Sequence, residues 1–335
     1  LCRLGNGWNG IKDRGGMLTV TNNEGAYIMY DCIVVGGGIA GLQAAIQLGR
    51  YRHRVLVIDK GRGRSTLCRS YHNVLGWPDG VSGQELRHLG RQHAERLGVE
   101  FRRDEAVAAA RNGRGFQIAL ADGGGAVHTE TLLAATGVLD RFPPLPGLEQ
   151  RLGISVYVCP DCDGYEVVGK RTVVMGSGDT GAGMALALRY WTDRIVYVNH
   201  ERQAVGSGHA DKLKEADIPH VEAEITEVLG GPDARFDGVR LSDGRTIEGE
   251  RGFIAFGGNE VHTGWTSALG VERLENRHIV TDPRTKMTNV PGVWAAGDIG
   301  VHSEQVTIAM GEGSQAAIWI HKELLKRKTN TAVFV

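Results

Sequence analysis

The chain has few cysteines, and they do not pair off. Cys2, Cys32, Cys68, Cys159 and Cys162 are the only five in 335 residues. An odd, scattered set excludes a secreted disulfide scaffold and fits a reducing compartment with one functional pair. The expected location is therefore cytoplasmic. Long apolar runs are also missing: none approaches the ~20 residues of a membrane span. Charge of one sign is missing too, the net value being -1. That excludes an electrostatic footprint for nucleic acid or an anionic membrane surface. Residues 1–28 lack the apolar core of a signal peptide. They are polar and rich in Gly and Asn, and read as a disordered extension with the natural start at Met29.

What is present is glycine, 49 residues of it, about twice the usual share of roughly 7%. Much of it falls in turns between apolar runs. The length suits about two domains. Asp31-Cys32-Ile33-Val34-Val35 is a short apolar run apt for a buried parallel strand. Gly36-x-Gly38-x-x-Gly41 follows at once, then an alanine- and leucine-rich helix over 39–48. A second apolar strand, 54–58, ends at Asp59, 18 residues beyond Gly41. A lone G-x-G-x-x-G says little, but strand, loop, helix and distal acid in this order define a dinucleotide-binding βαβ unit.

Ser82-Gly83-Gln84-Glu85 reads as a capping box opening a helix to about Leu97. Alternation over 116–120 and 126–130 around Asp122-Gly123-Gly124-Gly125 predicts a hairpin. A separate short strand is expected over 132–136. Phe142-Pro143-Pro144-Leu145-Pro146 is a linker. The pattern then restarts. A strand over 171–175 leads into Gly176-x-Gly178-x-x-Gly181, a helix over 182–191 and a strand over 194–198. Strands at 253–256 and 293–296 and a helix over 306–326 complete the chain. The predicted fold is α/β, with two Rossmann-like dinucleotide-binding domains and the second inserted into the first.

Between the two fingerprints lies Cys159-Pro160-Asp161-Cys162-Asp163-Gly164. C-x-x-C spacing serves a redox disulfide, half of a metal site, or two free thiols. A structural zinc needs four ligands, and no second C-x-x-C completes one. The charged and proline neighbours disfavour an inert core pair. A redox disulfide with a flavin as electron relay is the favoured reading. Asp163 can move the proton that a leaving thiolate needs if burial raises its pKa. Its competing role is a helix N-cap. Cys32 reads as core and Cys68 as a surface or near-flavin thiol with a second redox role as the alternative. His72 and His302 read as hydrogen-bonded structural histidines. Trp77, Trp191 and Trp294 read as packing residues. No metal site is read.

Taken together, these motifs resemble the low-molecular-weight thioredoxin reductases, FAD-dependent pyridine nucleotide-disulfide oxidoreductases. The likeness is carried by Gly36-Gly37-Gly38-Ile39-Ala40-Gly41, Ala135-Thr136-Gly137, the dithiol run, Ala296-Gly297-Asp298, and Gln305 leading into Ala309-Met310-Gly311-Glu312-Gly313. It runs in order from about Met29 to Leu325. The resemblance implies an FAD domain over 29–143 and 264–328, and an inserted pyridine-nucleotide-like domain over 147–257 that carries the dithiol. It implies FAD contacts from Gly36, Gly38, Ile39, Ala40, Gly41, Asp59, Lys60, Asn73, Thr136, Gly137, Gly297, Asp298, Gln305 and Val306. For His72 and His302 it implies the lining of a flavin pocket as the alternative. Gly176, Gly178, Asp179, Thr180, Gly181 and Glu201 fall to the pyridine nucleotide. Cys162 is then the thiol facing the flavin and Cys159 the one attacking an external disulfide. The family rotates its inserted domain, works as a homodimer and takes thioredoxin or a similar small dithiol protein as partner.

The chain departs from this pattern at the nucleotide. NADPH-dependent members carry His-Arg-Arg where this chain has Asn199-His200-Glu201-Arg202. Glu201 would repel a 2′-phosphate, and at 20 residues beyond Gly181 it suits the ribose 2′-OH of NADH. A solvated loop charge is the alternative. Gly257-Gly258-Asn259-Glu260-Val261-His262-Thr263 replaces the family's Gly-His-x-Pro-Asn-Thr, and Ala182-Gly183-Met184 lacks its acids. The expected activity is electron transfer from NADH or NADPH through FAD and Cys159–Cys162 to a protein disulfide. The alternatives are a nucleotide-independent enzyme, working with ferredoxin, a second flavin or oxygen, and a flavin-based redox sensor.

Overall fold

The computed structural model describes residues 10–12, 18–22, 25–123, 125–301 and 304–329. By its contacts the chain divides into two units. The first comprises residues through Gly63, Arg87–Val138 and those from Val261 onward; the second comprises Arg64–Leu86 and Leu139–Glu260.

The first unit grows from the apolar run at 32–35, every residue of which is buried. Both faces of this strand are covered. Ile33 and Val35 join Leu56, Ile58, Leu132 and Trp265 in one core. Cys32 and Val34 join Val55, Val57, Leu48 and Ile320 in the other. A strand buried twice reads as a continuous apolar run, and each Val or Ile side chain so buried contributes about 1.5–3 kcal/mol. The parallel order is Glu100–Arg102, Val55–Ile58, Gly25–Val35, Ala126–Ala134, Val293–Ala295. Helix Ile39–Arg50 follows the central strand, and helix Val306–Thr329 packs along it. The capping box is realised, with the Glu85 amide donating to Ser82 Oγ at 3.0 Å at the start of helix Gly83–Arg96.

One expectation is corrected. The strands expected at 126–130 and 132–136 are a single strand, Ala126–Ala134. No turn residue interrupts it, and Thr129 and Thr131 donate their hydroxyls to the carbonyls of Tyr30 and Asp31 on the neighbouring strand. Its first half pairs antiparallel with Gly115–Leu120 and its last three residues pair parallel with Val293–Ala295. Within 1–28, the structure describes strands at Gly10–Lys12 and Leu18–Asn22, and a central strand beginning at Gly25. Leu18-Thr19-Val20-Thr21 has the β-branched alternation that pairs readily with Gly25–Ile28. The other residues of that extension, and His302, lie outside the described residues.

The second unit repeats the plan. Its parallel order is Val156–Tyr157, Arg251–Ala255, Thr172–Gly176, Ile195–Asn199, His220–Val221. Val173, Met175 and Ile254 face one core, and Val174, Tyr197 and Phe253 the other. Each unit adds an antiparallel meander, here Ile225–Leu229, Gly238–Leu241 and Thr246–Glu248. The fold is thus α/β with two Rossmann-type units. Among the described residues no helix is long and apolar enough to cross a membrane.

Candidate dithiol and nucleotide sites

The first fingerprint is built for close backbone approach. Gly36 has φ of 110°, and a Cβ there would lie 2.2 Å from the Ala135 carbonyl oxygen. The loop delivers the chain to helix Ile39–Arg50, which has no side-chain cap at Gly38 and no acid in its first turn. Around Gly38 there is open space. An uncapped N-terminus with no acid in its first turn, beside open space at Gly38, suits a diphosphate, with the Asp59 carboxyl against Gly37; these residues fit FAD. Asp59 stands at the end of the next strand, where Arg87 donates to its Oδ2 at 2.7 Å. Lys60 pairs with Glu105. Thr136 donates its hydroxyl to the His262 carbonyl, and Gly137 accepts from the His262 amide. Gly297 donates its amide to the buried Glu312, whose other oxygen takes Lys286 at 2.7 Å. Asp298 and Gln305 are half-buried, and Gln305 directly precedes helix Val306–Thr329. Asn73 and His72 are exposed and fall in the second unit. Arg87 and Lys286 carry no spacing signal that singles them out in the sequence.

The dithiol lies on the second unit. Cys159 caps the four-residue helix Pro160–Asp163, with Pro160 pre-set for the first helical position. The amides of Cys162 and Asp163 both donate to the Cys159 carbonyl, which brings the two thiols to one end of the turn. Both are in the thiol form. A hydrogen bond from the Cys162 thiol holds the Cys159 pKa below its ordinary value, against the upward pull of burial. The same bond, then burial and the Cys159 thiolate charge, push Cys162 far up. The pair is therefore asymmetric, with the thiolate favoured at Cys159 over Cys162. Burial first, and the Glu166 charge second, push Asp163 up to about 7. Cys68 is on this unit as well; its thiol donates to the Ser70 carbonyl, and burial pushes it up to about 12. Cys32 and Trp294 are core residues, Trp191 packs partly buried against the second unit's core, and Trp77 is partly exposed.

The second fingerprint differs from the first in where its polar groups go. Gly181 faces Tyr197, where a Cβ would come within 2.3 Å of the ring. The Gly178 amide donates to Asn199 Oδ1 at 3.1 Å, and Asn199 Nδ2 donates to the Gln203 carbonyl. Asp179 puts an acid in the first helical turn and accepts from the Gly206 amide and from His209. Thr180 is exposed and lies against Gly257. Glu201 is held by Arg141, whose two terminal nitrogens reach its two oxygens at 2.7 and 3.0 Å. That hydrogen bond keeps Glu201 below its ordinary carboxylate range. Glu201 is thus the ion-pair partner of Arg141.

A fold of two dinucleotide units with a cysteine pair defines the class as a flavin-type disulfide oxidoreductase. Comparisons with known proteins agree. The family model described as pyridine nucleotide-disulphide oxidoreductase matches residues 30–313. A thioredoxin reductase of Treponema pallidum is 30% identical over 297 residues, covering 86% of this chain and 95% of its own. An alkyl hydroperoxide reductase subunit of Pseudomonas putida is 30% identical over 310 residues, covering 89% of this chain and 58% of that longer protein. The crystal structure of HlmI superposes with a TM-score of 0.81 at 30% identity, covering 97% of each chain. The chain belongs to the pyridine nucleotide-disulphide oxidoreductases, within the low-molecular-weight thioredoxin reductase group, and is an FAD-dependent disulfide oxidoreductase.

Proposed function

We propose that this flavoenzyme passes electron pairs from NADH through FAD and the Cys159–Cys162 pair to the disulfide of thioredoxin or a similar small protein. The observation that carries the reading is the two thiols brought to one short turn, where the amides of Cys162 and Asp163 both donate to the Cys159 carbonyl, with Asp163 next to Cys162 and pushed up by burial. Bound FAD supplies the electron pair that reopens the Cys159–Cys162 disulfide. The rest is the chemistry of the chain's own side chains. The Cys159 thiolate attacks one sulfur of the partner disulfide, forming a mixed disulfide and expelling one partner thiolate. Deprotonated Cys162 then attacks Cys159 Sγ, closes the internal disulfide and expels the second partner thiolate. Two electrons pass from the dithiol to the partner with the one proton of Cys162, and the second proton comes from solvent. Asp163 accepts the proton of Cys162 and returns one to a leaving thiolate. Glu201, near the strand end where a ribose is read, favours NADH over NADPH.

Cys159→Ser is expected to abolish disulfide reduction while leaving FAD bound, checked by turnover and flavin absorbance. Full activity in that variant would overturn the mechanism.

A second reading drops the nucleotide, with ferredoxin, a second flavin or oxygen as the other redox partner. It is favoured by Asn199, whose side-chain oxygen takes the Gly178 amide that a pyrophosphate would otherwise meet, and by the acid at Asp179. Anaerobic mixing with NADH and with NADPH separates the two. Fast bleaching of the flavin supports the first reading, and bleaching by dithionite alone supports the second.

A further inference from the structure

In an open parallel sheet, ligands bind beyond the carboxyl ends of the strands, at the point where strand order reverses. In the second unit that point is the end of Thr172–Gly176, with Ile195–Asn199 on one side and Arg251–Ala255 on the other. Arg141 spans it. On one side its guanidinium donates to the carbonyls of Phe256 at 2.8 Å and Gly257 at 2.8 Å. On the other it forms the bidentate pair with Glu201. Its backbone amide donates to Asn259 Oδ1 at 3.1 Å. A rigid fork held by a carboxylate and two carbonyls is well fixed. The pair is still solvent-accessible, with the Arg141 side chain 42% and the Glu201 side chain 24% exposed, so an incoming ligand can compete with it.

We propose that Arg141 is an intramolecular occupant of the ribose end of this crevice, and that an adenine dinucleotide binds only by displacing it from Glu201. Arg141 is then a specificity residue that lowers affinity. It withdraws the acid that ribose hydroxyls need and lays a cation-bearing arm across the groove. The inference rests on the crevice being a nucleotide site, as proposed above, and not on the thiol chemistry.

The test is calorimetric binding of ADP-ribose to the FAD-loaded full chain, with no turnover involved. Arg141→Ala is expected to bind at least tenfold more tightly than the wild type. Arg141→Lys, which keeps the charge but cannot span all three acceptors, is expected to fall between them. Flavin absorbance and circular dichroism report folding, and if Arg141→Ala fails to fold, tightening of threefold or more in Arg141→Lys decides. Weaker binding in the variants would overturn the proposal and leave a nucleotide site in which Arg141 is an ordinary contact. No binding by any form would overturn both the proposal and the nucleotide reading.

Discussion

At the scale of single residues, Asp163 is the most informative side chain. Its folded pKa of about 7 lies above the ordinary 3.8. The folded chain therefore binds more protons than the unfolded chain between those values. Stability falls as pH rises through that window, and the cost is complete above about 7. Asp163→Asn removes this cost, so it is expected to gain stability at pH 8 relative to pH 5, on the order of 1–2 kcal/mol. Urea midpoints of both proteins at the two pH values measure it. The same variant is expected to lose roughly 10²-fold or more in disulfide turnover, and with it the pH dependence near 7. Stability and activity thus move in opposite directions. The placement of Cys159, Cys162 and Asp163 on one turn was legible because the three are sequence neighbours, so local spacing sets their geometry. Arg87 and Arg141 were not. They meet their carboxylates across 28 and 60 residues respectively, and no periodicity marks either arginine.

At the scale of elements, the legible parts were those with start and stop signals. The strand–glycine–helix units and the capping box at Ser82 are local patterns, and they appear where the patterns fall. The strand Ala126–Ala134 reads as two in the sequence because its halves serve different partners, one antiparallel and one parallel. Only the tertiary neighbours reveal that it is continuous. The second fingerprint helix gives a prediction of its own. Gly181→Ala would set a methyl 2.3 Å from the Tyr197 ring, whose hydroxyl donates to the Gly178 carbonyl at 2.8 Å. The helix must shift off its strand, at a cost of about 1–3 kcal/mol. Denaturant unfolding is expected to register that loss with flavin content unchanged.

At the scale of the whole molecule, stability depends on what is bound. FAD bound to the folded chain adds about 2.7 kcal/mol when its free concentration is 100 times Kd. Removing it is expected to lower the melting transition of the first unit and spare that of the second, as differential scanning calorimetry of holo and deflavinated protein can read. Duplication of the plan was visible in the sequence because the fingerprint occurs twice. The interleaving of segments such as Arg64–Leu86 was not, since chain order carries no record of which unit a loop joins. That interleaving bears on how the protein is made. Helix Ile39–Arg50 leaves the ribosome early, yet the elements that cover it, Val293–Ala295 and Val306–Thr329, come last. At about 5–20 residues per second the wait is roughly 15–60 s. The later-encoded unit can finish while the earlier one still shows its bare alanine and leucine face. During synthesis, the first unit is therefore the part for which a chaperone's grip matters.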